Sequence, residues 1–413
     1  MAELFTVVPP GRAFGRLADE CSPPERTEIV SLEHALDRVT AVDVVAPETL
    51  PSFARSTMDG FAVRSADTHG ASEQSPAYLE LAGDVPTGIV PTVGVLPRQA
   101  VRIHTGAMIP AGADAVVMVE DTNLVGGEVE VVAAAAPGEN VLTAGEDVER
   151  GSIAVPAGRR LRPADLGGLA ALGLTAVTVR ARPRIAILST GDEVVPADAA
   201  PGPAQVRDVN AATIAAVIEQ AGGIPLPTGI APDDEAALLA AARDALGSAD
   251  ALVLSAGSSV SVRDLTARVV DALGRPGVLV HGIAIKPGKP TVLAVCDGKP
   301  VVGLPGNPAS ALVVAWRIVR PLVRYLGGET RRDELGDERE RSAILDVPVP
   351  SRPGREDYVP ALLTTGADGA LHATPVFGAS NLIFTLVRAD GLIAVPLDRS
   401  GLGAGEHVRV IVP

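Results

Sequence analysis

Along the chain the spacing of apolar positions changes several times. In "TEIVSLEHALDRVTAVDV", Val30, Leu32, Ala35 and Val39 recur at helical spacing, so residues 1–45 are predicted to be helical. "APETLPSFARST" breaks that pattern with prolines. From about 60 to 145 the apolar residues fall into short Val-rich runs, "GFAVRSA", "AVRIHTG", "AVVMVED" and "EVEVVAA", punctuated by Gly and Pro. That is the pattern of a mostly-β module. "LRPADLGGLAALGLTAVTVRARP" reads as a helix and then a strand, with Pro183 as a boundary.

Beyond Pro183, buried-strand runs ("RIAILST", "ALVLSAG", "VVGLPG") are interleaved with helical patterns ("AATIAAVIEQAGG", "ALLAAARDALG", "DLTARVVDALG", "PASALVVAWRIVR"). Strand, turn and helix in repetition predict a doubly wound α/β domain. The fold class is therefore multidomain α/β plus β. A discontinuous helical/linker domain covers 1–45 and 146–182, and an inserted mostly-β domain covers 46–145. The α/β domain spans 183–327. After the charged linker "GGETRRDELGDERERSA" comes a C-terminal β domain over 343–413.

Composition narrows the function classes. The 413 residues suffice for two to four domains at roughly 100–200 residues each. A formal charge of -15, with six Phe, three Tyr and one Trp, argues against nucleic-acid binding, which wants basic surfaces and stacking platforms. Two cysteines are too few for a disulfide framework or a cysteine metal site, and no HExxH pair occurs among the six histidines. Any metal would be a hard cation on carboxylates, most simply Mg²⁺. The amino end lacks the charged head and apolar run of a signal peptide, and no run of about 18 apolar residues exists, so a soluble cytoplasmic protein without a membrane span is expected.

Ligands of a doubly wound sheet sit beyond the carboxyl ends of its strands, where loops converge. Three such loops are chemically rich. "STGDEVV" carries Asp192 and Glu193. "SAGSSVSVRD" carries Ser255, Gly257 and Ser259, then Arg263 and Asp264 at a helix start. "LPGNPASA" carries Gly306, Asn307 and Ser310, with Asn307 placed to cap a helix opened by Pro308, whose free N–H groups would suit an anion. Each is also an ordinary turn signal, but three in one sheet point to a site.

"AIKPGKP" holds Lys286 and Lys289 each before a proline, which restricts both backbones to extended conformations, while Gly288 allows a turn between them. Two close cations in a stiff loop make sense around a dianion. The β module adds Asp59 in "RSTMDGFAV", Thr105 in "HTGAMIPAGADAVVMVED", and the neighbouring "TAGEDVERG" adds Glu146 and Asp147.

Together "STMDGFAV", "HTGAMIPAGADAVVMVED", "GEDVERGS", "STGDEVV", "RDVNAATI", "IKPGKP" and "LPGNPAS", in this order, resemble the molybdopterin molybdenumtransferase family, the MoeA and gephyrin E-domain group. The resemblance implies a homodimer of four-domain subunits with a central MogA-like α/β domain and the active site at the dimer interface. It implies that molybdate meets adenylylated molybdopterin, AMP leaves with the help of Mg²⁺, and the metal is installed on the dithiolene sulfurs. A molybdopterin adenylyltransferase and the recipient molybdoenzymes would be the transfer partners. Lys286, Lys289, Pro290 and Ser310 would line the molybdate pocket, with Arg355 and Ser380 as additions from the tail. Asp59, Thr105, Asp147, Glu193 and Asp264 would be the essential polar residues, Glu193 and Asp264 serving the metal. Asp59 and Thr105 would reach the partner's α/β domain.

The second rich loop departs from the family's paired glycines and Val-Ser-Val-Gly run, and "RDLT" resembles the related adenylyltransferases. The tail reads "GREDYVPA", with Pro360 where the family often has a basic residue. Adenylyl transfer, a tungstate-specific paralogue and a non-catalytic scaffold are the alternatives.

Overall fold

The computed structural model describes residues 7–256, 260–330, 339–367 and 369–412, with only the backbone for 260–264 and 339. Two compact units emerge: Met1–Ala41, Ala157–Leu161 and Thr178–Pro413 form the first, Val42–Pro156 and Arg162–Val177 the second.

The second unit is built on β1 (Gly60–Val63), β2 (Ala77–Val85), β3 (Gln99–Ile103), β4 (Ala115–Met118), β5 (Thr122–Val125) and β6 (Glu128–Val131), in the order β4-β1-β3-β2-β6-β5. Side chains alternate across a strand, so Phe61 and Val63 join one buried cluster with Leu79, Val117 and Val129. Ala62 joins another with Val85, Val101, Ile103 and Val116. Apolar packing on both faces explains why these strands read as near-continuous valine runs.

The first unit holds a mixed sheet of β7 (Arg184–Thr190), β8 (Ile224–Ala231), β9 (Ala251–Ala256), β10 (Pro276–His281), β12 (Val292–Cys296) and β13 (Lys299–Pro305). Between β10 and β12 in sequence lies the short strand β11 (Ile285–Lys286). The sheet order is β8-β7-β9-β13-β12-β10; the first four strands are parallel and the last two antiparallel. Ile185, Ile187 and Val253 pack towards Ile214, Val217 and Ile318, whereas Ala186, Leu188, Leu252 and Leu254 pack towards Leu238, Ala242 and Val269. Helices thus cover both faces, as expected of a doubly wound domain.

C-terminal to it, β14 (Arg339–Leu345), β15 (Glu356–Thr365), β16 (Leu371–Pro375), β17 (Gly391–Val395) and β18 (His407–Val412) close into a five-stranded barrel, because β15 pairs with both β16 and β17. β11 adds to β15 as a sixth strand.

The amino-terminal helical reading needs correction. A helix does form over Pro10–Asp19, burying Ala13, Phe14 and Leu17, but Thr27–Ser31 is a strand followed by a single 3₁₀ turn. The β-branched run Thr27, Ile29, Val30 favours extension, and Asp37 takes a positive φ of 61° that interrupts any helix through 45. Among the described residues no helix is long and apolar enough to cross a membrane.

Candidate functional site

β7, β9 and β13 are neighbours in one sheet, so their carboxyl ends at Thr190, Ala256 and Pro305 lie side by side. A residue overlooked in the sequence ties two of them together. Asn210, buried at the start of the helix Asn210–Gln220, donates from Nδ2 to Ser255 Oγ at 2.7 Å and to the Gly306 carbonyl at 3.0 Å. Its only sequence signal is its place at a helix start in "RDVNAATI", two residues after Asp208, whose carboxylate caps the Ala211 N–H. Gly257 and Ser259 lie outside the described residues. Asp264 belongs to the helix Val260–Leu273, and its side chain lies outside them as well.

The lysine loop is fastened from two sides. Ile285 and Lys286 pair in parallel with Glu356 and Asp357, and the Glu356 N–H donates to the Ala284 carbonyl at 2.9 Å. Asp357 is 1% exposed. Its carboxylate accepts from Arg355 Nε at 2.7 Å and Nη2 at 3.2 Å, and Lys286 Nζ stands 3.8 Å from Oδ2. Lys286 and Arg355 therefore share one buried anion. On the other side, Gly288 has φ of 121°, and a Cβ there would lie 2.3 Å from Val314 Cγ2 and 3.8 Å from the Ser310 carbonyl oxygen. Only glycine lets the loop turn and sit this close to the helix Pro308–Val314. Thr291 Oγ1 closes the loop by donating to the Gly288 carbonyl at 2.7 Å. Lys286 and Lys289 are exposed and Pro290 half-buried.

Asn307 does not act as the expected side-chain cap. Its Nδ2 donates to Ser380 Oγ at 3.0 Å, and the Ala309 N–H donates to the Ser380 carbonyl at 3.1 Å. The helix start is capped by the C-terminal region, because the Ser380 carbonyl accepts from the Ala309 N–H while its hydroxyl accepts from the Asn307 side chain. Ser310, one residue on, is buried. The lysine loop thus sits against Ser310 and Val314 of this helix, Arg355 meets Lys286 at Asp357, and Ser380 bonds Asn307 and Ala309 at the helix start. Asp357, the second overlooked residue, had a sequence signal: Arg355 and Asp357 are two positions apart in extended chain and so share a face.

Glu193 is exposed in the loop after β7, whereas Asp192 Oδ1 accepts from the Asp233 N–H at 3.2 Å. No group of three His, Cys, Asp or Glu that could hold a metal occurs among the described residues. Of the two carboxylates expected to hold a metal, Glu193 is exposed and the Asp264 side chain lies outside the described residues.

In the second unit, Asp59 Oδ1 accepts from the Thr105 N–H at 2.9 Å, and His104 lies between Asp59 (3.8 Å) and Asp84 (3.4 Å). Gly60 is required here for close strand approach: a Cβ would meet the Val117 carbonyl oxygen at 1.9 Å. Asp147 and Glu146 line a cleft of about 460 Å³ with Leu50, Pro51, Arg55 and Leu142. The Glu146 carboxylate accepts from the Thr143 N–H and hydroxyl at 2.8 and 3.0 Å.

Comparison with known proteins adds independent findings. Three family models match: the MoeA N-terminal region (domain I and II) over 8–173, a probable molybdopterin binding domain over 186–325, and the MoeA C-terminal region (domain IV) over 342–412. The chain is 34% identical to a molybdopterin molybdenumtransferase of Nostoc, covering 96% of this chain and 91% of that one. It is 33% identical to the molybdopterin molybdenumtransferase of Haemophilus influenzae, covering 97% of each. A solved MoeA structure from Pyrococcus horikoshii superposes with a TM-score of 0.82 at 28% identity, covering 99% of this chain and 100% of that one.

Proposed function

Because the chain belongs to the molybdopterin molybdenumtransferase family and is a transferase of molybdenum cofactor biosynthesis, we propose that Lys286, Lys289, Arg355 and Ser310 bind molybdate. Adenylylated molybdopterin then lies across the loops after β7, β9 and β13. The observation that carries this reading is the lysine loop held by Asp357 on one side and seated on the helix Pro308–Val314 on the other. Cations held in advance around a tetrahedral dianion lose little freedom when it binds, so attraction is not spent on ordering the loop.

Each residue has a task in the transfer. Lys286, Lys289 and Arg355 neutralise the oxyanion and orient it towards the dithiolene thiols, whose sulfurs displace two of its oxygens as water, while a water molecule cleaves the pyrophosphate bond and AMP leaves. Ser255 and the Gly306 backbone, tied by Asn210, form the floor under the pterin end. Glu193 and Asp264 would hold Mg²⁺, which when bound supplies charge neutralisation at the phosphate that becomes AMP. Asp59 and Thr105 contact the substrate from the partner of a homodimer, and Asp147 is a further essential polar residue. The reaction runs in the cytoplasm, between a molybdopterin adenylyltransferase that supplies the substrate and the molybdoenzymes that take the product.

The test is an assay of purified protein with adenylylated molybdopterin, Mg²⁺ and molybdate, following AMP release and metal incorporation. Molybdate-coupled AMP release is expected. Coupling to tungstate alone would identify a tungstate-specific paralogue. Activity only with molybdopterin and ATP would move the chain to adenylyl transfer, and silence throughout would make it a scaffold. Sedimentation as a monomer at assay concentration would contradict the homodimer.

A further inference from the structure

We infer that Asp357 is a positioning residue, whose buried carboxylate locks Lys286 and Arg355 into a single anion clamp and so sets affinity for the oxyanion substrate. The inference rests on the proposed molybdate site and extends it to a residue that never touches substrate.

The geometry is unusual for a binding pocket, because a negative charge stands directly behind the cations meant to attract an anion. Asp357 is 1% exposed, while its partners are open: the Lys286 side chain is 59% and that of Arg355 33% exposed. A buried carboxylate is costly unless its oxygens are satisfied. Arg355 satisfies Oδ1 at 2.7 Å and reaches Oδ2 at 3.2 Å, a two-toothed arrangement that fixes the plane of the guanidinium. Oδ2 also faces Lys286 Nζ at 3.8 Å. The backbone enforces this meeting, since Lys286 and Asp357 are register partners of β11 and β15. The neighbouring polar groups have other tasks: Glu356 accepts from the Tyr358 hydroxyl at 2.5 Å, and the Arg317 guanidinium lies 5.0 Å above the Tyr358 ring. Both cations are therefore held at one point while part of each side chain stays exposed.

Simple electrostatics and positioning make opposite forecasts for Asp357→Asn, which is what makes the inference testable. Deleting the negative charge should tighten anion binding if Asp357 acts only through its field. If it acts by holding Lys286 and Arg355, the substitution should weaken binding, because an amide accepts at only one atom and turns its NH₂ towards a cation. Loss of a charge-assisted hydrogen bond, about 1.5–3 kcal/mol, corresponds to a loss of about tenfold or more.

The experiment is equilibrium dialysis of the full chain against molybdate with metal quantification, together with molybdate KM and kcat. For Asp357→Asn we expect about tenfold weaker molybdate binding and a matching rise in KM, with kcat changed less than about threefold. Arg355→Gln should weaken binding similarly, and the double variant should be little worse than either single one. Unchanged or tighter binding by Asp357→Asn, or full additivity in the double variant, overturns the inference. Should Asp357→Asn fail to fold, Asp357→Glu decides: it keeps the charge but moves it one methylene further out, so weaker molybdate binding supports the clamp and unchanged binding overturns it. No molybdate binding by the wild type would instead overturn the proposed site, and this inference with it.

Discussion

Asn210→Ala tests whether the site edge is held together by one buried amide. The substitution removes two hydrogen bonds, to Ser255 Oγ at 2.7 Å and the Gly306 carbonyl at 3.0 Å. Each bond contributes a net ~0.5–1.5 kcal/mol, and an acceptor left dry costs about 1–3 kcal/mol. Ser255 is 4% exposed and bears that second cost, whereas Gly306 is half-buried and can recover water. The sum is about 2–6 kcal/mol. The only tryptophan, Trp316, packs against the core of the same unit, so its fluorescence reports this unfolding. With a urea slope of about 1–3 kcal/mol per molar, the midpoint should fall by about 1 M or more. Asn210→Asp keeps the shape but replaces the donor with a carboxylate facing the Gly306 carbonyl, so it should be at least as destabilised. A midpoint unchanged in Asn210→Ala, or wild-type stability in Asn210→Asp, would refute the reasoning.

Other outcomes follow from single features. Gly288→Ala should cost about 1–3 kcal/mol through its φ of 121° and more through the 2.3 Å approach to Val314; adding Val314→Ala should recover only the second part in the same urea titration. Burial pushes the thiols of Cys21 and Cys296 up to about 11, with Asp297 and Asp271 adding to the effect on Cys296. At pH 8 neither should react with a disulfide reagent until denaturant is added, and rapid labelling of the folded protein would contradict this. The Thr374 hydroxyl, and then the His372 ring, hold the Asp346 carboxyl below its ordinary value. A depressed folded value stabilises the protein above the unfolded pKa near 3.9 and ceases to do so as pH falls through the folded one. Asp346→Asn should therefore lower stability at neutral pH and flatten its loss below about pH 4, which acid titrations of the two proteins would reveal.

The fold class was legible because β7, β9 and β13 are buried on both sides and read as unbroken apolar runs between turn residues. The amino-terminal strand was misread because Val30, Leu32, Ala35 and Val39 mimic a helical stripe, while Ile29, 76% exposed, belongs to no core at all. Within the candidate site, the lysine loop was visible as local chemistry, since Pro287, Gly288 and Pro290 constrain their neighbours directly. Asn210 was not, because it acts through Ser255 and Gly306, distant in sequence, and Asp357 was legible only in its pairing with Arg355, since its other partner, Lys286, is distant. Asn307 misled for a related reason. Its local context favours capping its own helix, but Ser380, 73 residues away, takes its side chain.

Binding of the inserted molybdate by the lysine loop can be tested in the reaction itself. The most direct measurement compares molybdate-dependent AMP release and metal incorporation by the wild type and a Lys286→Ala/Lys289→Ala variant, with unfolding curves showing that the variant is folded. The wild type should couple the two, and the folded variant should lose molybdate dependence. A folded variant that still inserts molybdenum at the wild-type rate, with unchanged molybdate KM, would contradict it.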